Sequence, residues 1–344
     1  IEQVEVAEAG PGDVVAVAGL PEITIGDTIT DPADPRPLPR LSVDEPTQRM
    51  TFGVNTSPMS GREGRYLTSR QIRARLEREV LGNVSIEFHP TGSAETFEVR
   101  GRGELQLAVL IEQMRREGFE LQVSRPEVLL HQVNDEIQEP YERVSIDIPP
   151  EHIGTVTASL AARRARVEQM TTDADGRTRL EAVMPTRGLV GYRGQFLTET
   201  RGTGLLHQIG EGYGPWAGEV EHRTSGVLVA DRTGTSNAYA LFNLQDRARM
   251  FIGSGVAVYE GMIVGENSRP GDMDVNPTKE KKLTNIRTHS HDDALRLTPP
   301  PPMTLESAIE FIAADELVEV TPTSIRLRKR LLSVHDRRRE HGRQ

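Results

Sequence analysis

The 344-residue sequence contains no cysteine. This absence excludes disulfide bridges, thiolate zinc sites and cysteine nucleophiles, and it fits an intracellular protein. Aromatic residues make up only 4% of the chain, so its cores must be built mainly from Val, Leu and Ile. The sequence has no run of about eighteen apolar residues and no secretory signal at its start. We therefore expect a soluble, cytoplasmic protein that does not enter a membrane.

Lysine is scarce as well, because only four of the 41 basic residues are lysines. Three of them lie in the segment NPTKEKKLTNIR, which spans 276–287 and carries a net charge of +3. Compact ammonium groups beside asparagine side chains suit contacts to RNA phosphate and ribose, whereas charge alone also fits a solvated surface loop. The candidate RNA-binding residues of this loop are Lys279, Lys281, Lys282, Asn285 and Arg287.

The net charge of −10 argues at first against a nucleic-acid partner, but the charges are unevenly distributed. Residues 326–344 carry a net charge of +6, which leaves −16 for the rest of the chain. Phosphate binding depends on such local patches, since salt screens charges beyond about 10 Å. A second set of RNA-binding candidates is therefore Arg326, Arg328, Lys329 and Arg330. The apolar residues between them also fit a packed amphipathic element, followed by a disordered tail.

No catalytic motif is present. A nucleotide site of the P-loop type needs a G-x-x-x-x-G-K-[S/T] sequence, and none occurs. One metal-like cluster contains His289, His291, Asp292 and Asp293, but it lacks a third placed histidine, so a solvated polar turn is favoured over a metal site. We predict no catalytic residue, no cofactor and no metal in this chain. A metal-dependent hydrolase built on this cluster is the alternative.

Patterns of apolar residues divide the chain into four parts. Residues 1–40 alternate apolar and turn residues up to a Pro-rich connector, which predicts the end of a β-barrel. The chain begins at Ile1 inside a predicted strand, so we expect a fragment. Residues 41–125 predict strand, helix, strand, strand, helix and strand at 48–54, 68–81, 84–88, 95–99, 104–117 and 119–123.

The same βαββαβ pattern, typical of ferredoxin-like folds, recurs in 126–212. Its predicted elements lie at 141–148, 151–164, 167–172, 178–184, 187–199 and 204–209. The remaining residues, 213–344, have no fold that the pattern alone assigns. Their predicted elements are short strands at 226–230, 239–244, 257–259 and 262–265, a helix at 305–313, and a last strand or helix at 325–332.

Several long sequence strings resemble one family. The string GRGELQLAVLIEQMRREGFELQVSRPEV resembles the third domain of elongation-factor-G-like translational GTPases. The strings VNTSPMSGREGRYLTSRQIRARLERE and PTRGLVGYRGQFLTETRGTG look like the TypA or BipA branch of that superfamily. The resemblance implies the end of barrel domain II in 1–40, domain III in 41–125, domain V in 126–212 and a family-specific, mostly β domain in 213–344. An ordinary elongation factor G would need a fourth domain, for which there is no room.

The resemblance also implies a function. It predicts the ribosome-binding part of a GTPase that acts in large-subunit assembly and in stress or cold adaptation, with GTP and Mg²⁺ bound by a nucleotide domain missing here. The expected partners of this monomeric protein are the factor-binding cleft of the ribosome, ribosomal RNA and A-site tRNA, with the 276–287 loop near the tRNA. Arg62 and Arg65, in and directly after the GREG loop at 61–64, are weaker candidates. A protein-binding scaffold without RNA contact is the alternative.

Overall fold

The computed structural model describes residues 4–20, 23, 25–39, 45–174, 176–220, 223–281 and 296–342. Within these residues the fold is mixed α+β, as predicted, with two large sheets and one small one. No helix in the described ranges is long and apolar enough to cross a membrane.

The first unit has the predicted βαββαβ order. Its antiparallel sheet runs β4-β1-β3-β2, and the helices α1 and α2 cover one face. A Thr68 capping box starts α1, and α2 ends at Gly118, whose φ of +96° is a left-handed conformation that favours glycine. The elements are β1 (Gln48–Val54), α1 (Ser69–Gly82), β2 (Glu87–Pro90), β3 (Thr96–Gly101), α2 (Glu104–Glu117), β4 (Leu121–Val123) and β5 (Glu127–Val128).

The second unit repeats this topology. Its sheet order, β10-β7-β9-β8, matches that of the first unit, and β6 forms a hairpin with β7. The helix predicted at 187–199 is broken in two, because Gly191 adopts a φ of +73°. The elements are β6 (His131–Val133), β7 (Glu136–Ile148), a 3-10 turn (Pro150–His152), α3 (Ile153–Ala162), β8 (Arg166–Thr172), β9 (Thr178–Pro185), α4 (Thr186–Leu189), α5 (Tyr192–Glu199) and β10 (Leu205–Pro215).

The third unit is built from short strands and three helices. The prediction of a strand at 239–244 is wrong, since this segment is helical. The Asn237 side chain caps the first turn by accepting a hydrogen bond of 2.8 Å from Tyr239 N–H. The elements are β11 (Val227–Ala230), β12 (Gly234–Thr235), α6 (Ala238–Gln245), β13 (Ala248–Met250), β14 (Ala257–Val258), β15 (Met262–Asn267), β16 (Met273–Val275), α7 (Leu305–Phe311), β17 (Glu316–Val320), β18 (Ile325–Lys329) and α8 (Val334–His341).

The first and third units share one sheet. Strand β17 pairs antiparallel with β4, so that Val318 lies opposite Val123 and Val320 opposite Leu121. The result is an 11-stranded sheet that crosses from one unit to the other. A single hydrophobic core follows it, in which Phe52 of β1 and Ile309 of α7 belong to the same cluster. The two units are therefore packed as one body.

The N-terminal segment departs from the prediction. Its described residues, within 4–39, contain no strand, and Val14 and Val17 are largely exposed. Barrel strands need neighbouring strands to complete their hydrogen bonds, and none is provided by the described part of this chain. In the described residues of this segment, the strands predicted as the end of a β-barrel are thus not formed.

All three units meet around Glu104, the first residue of α2. Its carboxylate accepts a hydrogen bond of 3.3 Å from the backbone N–H of Gly191, at the start of α5. Burial, together with repulsion from Glu310 of α7 and Glu142 of β7, raises the pKa of Glu104 to about 7, although Arg125 acts in the opposite direction. Ionised Glu104 therefore destabilises the fold.

This arrangement predicts that Glu104→Gln increases the stability of the fold in a pH-dependent way. A folded-state pKa above the unfolded value costs stability as pH rises from about 4.5 through 7, and the full cost is present above that. At pH 8 the variant should be more stable by at most about 3 kcal/mol, with no difference near pH 4.5. Urea unfolding at both pH values measures this.

Glu112→Gln, on the same helix, is the matched control. Hydrogen bonds from Arg115 and Arg116 lower the pKa of Glu112 to about 2, so its replacement should not stabilise the protein at pH 8. Equal stability of wild type and Glu104→Gln at pH 8 would contradict the burial of an ionised carboxylate at this junction.

Candidate nucleic-acid interface

The predicted RNA-binding loop at 276–287, called the lysine loop below, leaves the third unit directly after β16. The Asn276 side chain accepts hydrogen bonds from the backbone N–H and the hydroxyl of Thr278, and the Pro277 carbonyl accepts one of 2.9 Å from Asn237 N–H. Lys279 and Lys281 follow and are exposed. The other candidates of the loop, Lys282, Asn285 and Arg287, lie outside the described residues.

The same helix holds both ends of this loop. Asn237, which anchors its start, is the N-cap of α6. At the other end, the Gln245 side chain donates to the Arg296 carbonyl at 3.0 Å and accepts from Thr298 N–H at 3.1 Å. Eight residues of α-helix, about 12 Å, separate these two anchors. The segment 276–298, which contains the lysine loop, therefore starts and ends at a fixed base on the third unit.

The predicted metal-like cluster is not part of the described structure. His289, His291, Asp292 and Asp293 all lie outside the described residues. Among the residues that are described, no group of three or more His, Cys, Asp or Glu side chains is placed to hold a metal ion.

Arg326, in β18, points its charge at two acidic residues. Its guanidinium donates to Glu319 at 3.0 Å and to Glu63 of the GREG loop. Only 13% of its side chain is exposed. Arg326 therefore joins the third unit to the first, and little of its charge faces solvent.

Arg328 and Lys329 are buried, although the basic run suggested an RNA surface. Each has 2% exposure. The Lys329 ammonium lies 2.5 Å from Asp272, 2.8 Å from Asp315 and 2.9 Å from Glu316. Because strand residues alternate between the faces of a sheet, and both faces are covered here, these charges are used inside the fold. They do not present a surface to RNA in this arrangement.

Arg328 makes contacts across the shared sheet. Its guanidinium donates to the Thr56 hydroxyl at 2.7 Å and to the Gln122 side chain of β4. The remaining candidate of this run, Arg330, is exposed and donates to the Ala314 carbonyl at 2.6 Å. Of the four basic residues at 326–330, Arg330 alone is classed as exposed.

The expected disordered tail instead contains α8. The backbone N–H of Val334 donates to Glu260 at 3.0 Å, and Arg337 forms an ion pair with Asp274. Arg338, with 77% of its side chain exposed, lies 3.7 Å from the same aspartate. The tail thus begins as a helix tied to the third unit.

The GREG loop is held by its glutamate. Glu63 accepts hydrogen bonds from Thr321, Thr323 and Arg326, all in or beside the β17–β18 hairpin. Burial by itself would raise the pKa of Glu63, but these hydrogen bonds outweigh it and lower the pKa to about 2. Arg62 and Arg65 flank this anchor, and both are exposed.

Two buried carboxylates complete the junction between the first and third units. Glu319 accepts from Asn55 at 3.0 Å and from the Tyr259 hydroxyl at 2.6 Å, in addition to Arg326. Glu120 accepts from Asn55 at 2.7 Å and from two backbone N–H groups of the GREG loop at 3.0 Å. Neither acid was predicted from the sequence. One signal was present, because Glu319 lies in the string ELVEV, whose apolar residues are typical of a buried strand.

Comparisons with known proteins agree with this domain order. Residues 136–224 match the family described as elongation factor G C-terminus, and residues 225–334 match the TypA/BipA C-terminal domain. The large ribosomal subunit assembly factor BipA of Salmonella typhimurium is 51% identical over 98% of this chain. The BipA proteins of Haemophilus influenzae and a Synechocystis species are 50% and 47% identical over 98% and 96% of it.

The chain belongs to the TypA/BipA family. It spans about half the length of these curated relatives, 55% to 56%. In this family member the two ferredoxin-like units follow each other closely, with only Leu129 and Leu130 between β5 and β6.

The hydrogen bonds that Glu63 accepts from the β17–β18 hairpin predict that Glu63→Gln makes the protein less stable. A lowered folded-state pKa gives stability that is present above the unfolded value of about 4.5 and lost as pH falls toward 2. At pH 7 we expect a loss of about 1 to 2 kcal/mol, discounted for solvent screening of this part-exposed side chain. Chemical denaturation at pH 7 and pH 3 measures the difference, which should shrink at pH 3.

Glu77→Gln is the matched control, since Glu77 pairs with Arg73 on an exposed helix face. Its loss should stay below about 0.5 kcal/mol. A Glu63→Gln loss no larger than that of the control would mean that the GREG loop does not anchor the third unit.

Proposed function

We propose that this chain is the ribosome-docking part of a TypA/BipA-type translational GTPase. It would bind in the factor-binding cleft, at the A-site side, and contact ribosomal RNA and A-site tRNA. The lysine loop carries the proposal, because its first lysines, Lys279 and Lys281, are exposed just beyond a base anchored to α6. Exposed ammonium groups on a fixed base suit phosphate contacts that position a protein on RNA.

The RNA-contacting residues of the proposal follow from exposure. Lys279, Lys281 and Arg330 are exposed, and Lys282, Asn285 and Arg287 join them as members of the same loop segment. Arg62 and Arg65 form a further candidate set on the first unit. Arg326 and Arg328 serve the proposal indirectly, since they hold the third unit to the first and so fix the position of the loop. Lys329 does so within the third unit, where it pairs with Asp272, Asp315 and Glu316.

The name of the bacterial relatives, large ribosomal subunit assembly factor, supports a role in subunit assembly. We extend that role to this chain as part of the proposal, together with action under cold or other stress as a cytoplasmic monomer. GTP hydrolysis would belong to a nucleotide domain with its Mg²⁺. The residues of this chain do not fit GTP, because the sequence contains no P-loop motif.

Co-sedimentation with ribosomes across a salt series tests the proposal. Lys279→Ala, Lys281→Ala and Lys282→Ala combined should weaken binding. The slope of log K against log salt should become shallower by about 2 to 3, since each lost phosphate contact removes close to one released counterion.

The matched control replaces Arg70, Arg73 and Arg78 of α1 by Ala, which removes the same charge from a solvated helix face. Its salt slope should equal that of the wild type. If the lysine variant keeps the wild-type slope, the loop makes no phosphate contact. Ribosome binding without any salt dependence would favour the protein-binding scaffold instead.

A further inference from the structure

A cavity of about 650 Å³ lies where the three units meet. It is lined by α2 of the first unit, by α5 and β10 of the second, and by α7 of the third. Its volume falls in the range of small-molecule sites, which is about 300 to 1,000 Å³. Four aliphatic side chains form much of its wall: Leu189, Leu197, Leu206 and Ile309.

Several polar groups that line this cavity can accept hydrogen bonds from a ligand. Gln48 is 4% exposed, and its side-chain carbonyl oxygen has no hydrogen-bond partner within the described ranges. A buried polar atom without a partner is uncommon and calls for a ligand or water. The carboxylates of Glu104 and Glu310 line the same cavity.

Both carboxylates are fixed against α5. Glu104 accepts from Gly191 N–H, and the backbone of Gly194 lies so close to Glu310 that an added Cβ would be 2.6 Å from its carboxylate oxygen. The lining contains one cationic side chain, Arg193, and three acidic side chains, Glu104, Glu306 and Glu310. The cavity therefore joins an apolar wall to an excess of negative charge.

We propose that this cavity binds a small aliphatic primary amine. The ammonium group would donate its three hydrogen bonds to the carboxylates of Glu104 and Glu310 and to the carbonyl of Gln48, while the alkyl chain lies against the leucine wall. Because its walls come from three units, an occupied cavity stabilises their arrangement. This inference does not depend on ribosome docking.

The charges around Glu104 set the pH dependence of binding. Burial has the largest effect on Glu104 and raises its pKa, and repulsion from Glu310 and Glu142 raises it further, whereas Arg125 lowers it. The pKa of Glu310 is itself raised by burial and by Glu306. An ammonium ion binds the ionised carboxylate. Binding should therefore strengthen between pH 6 and pH 8 and should release protons at pH 6.

Isothermal titration calorimetry with n-hexylamine on the full 344-residue chain tests the proposal. Methylamine, hexan-1-ol and hexanoate, at equal ionic strength, serve as comparison ligands. Hexylamine should bind at least about tenfold more tightly than any of them, since only it supplies both the charge and the apolar chain. Hexanol binding as tightly as hexylamine, or no binding of hexylamine, would overturn the proposal.

Variants locate the site. Glu104→Gln, Glu310→Gln and Gln48→Met should each weaken hexylamine binding by about tenfold, whereas Glu151→Gln, an exposed control of equal charge change, should bind like the wild type. Thermal unfolding without ligand shows that each variant is folded. Unchanged affinity in both Glu104→Gln and Glu310→Gln would place hexylamine elsewhere and contradict the assignment.

Discussion

The rest of the structure depends on the pairing of β4 with β17, which is held at one end by two buried carboxylates. Glu120 directly precedes β4, and Glu319 lies within β17. The Asn55 side chain donates a hydrogen bond to both carboxylates. Burying a carboxylate costs several kcal/mol unless its oxygens are bonded. Here backbone N–H groups, a tyrosine hydroxyl and Arg326 satisfy them. The junction is therefore specific, because a shifted register would leave these charges unpaired.

This junction explains why a basic sequence does not become a basic surface. Two of the four basic residues in 326–330 pair with acids, Arg326 with Glu63 and Glu319, and Lys329 with three carboxylates. Arg328 is buried as well. The lysine loop remains for an outside partner, together with exposed Arg330, Arg62 and Arg65. Strand β16 and helix α6 hold the start of the loop in position. In the proposed function the exposed charge would meet the partner, whereas the buried charge fixes the geometry of the fold.

The sequence predicted what local patterns determine. Helix α2 and its glycine stop were expected at the residues where they are found, because apolar spacing and a left-handed glycine are local signals. Long-range contacts have no such signal. Thr323 and Glu63 are 260 residues apart in the chain. No local pattern near either residue predicts that they form a hydrogen bond. The helix α6 was misread because its length of eight residues fits both periodicities, and the N-terminal strands lack described neighbours to pair with.

The most direct test of the account is native-state hydrogen exchange of the β4–β17 junction. If the first and third units form one cooperative body, the amides of Leu121–Val123 and Val318–Val320 should open with the same free energy as those of Gln48–Val54, within about 1 kcal/mol. If Val318–Val320 exchanges at the rate of an unprotected segment while Gln48–Val54 stays protected, the third unit opens independently. The shared sheet would then not fix the position of the lysine loop.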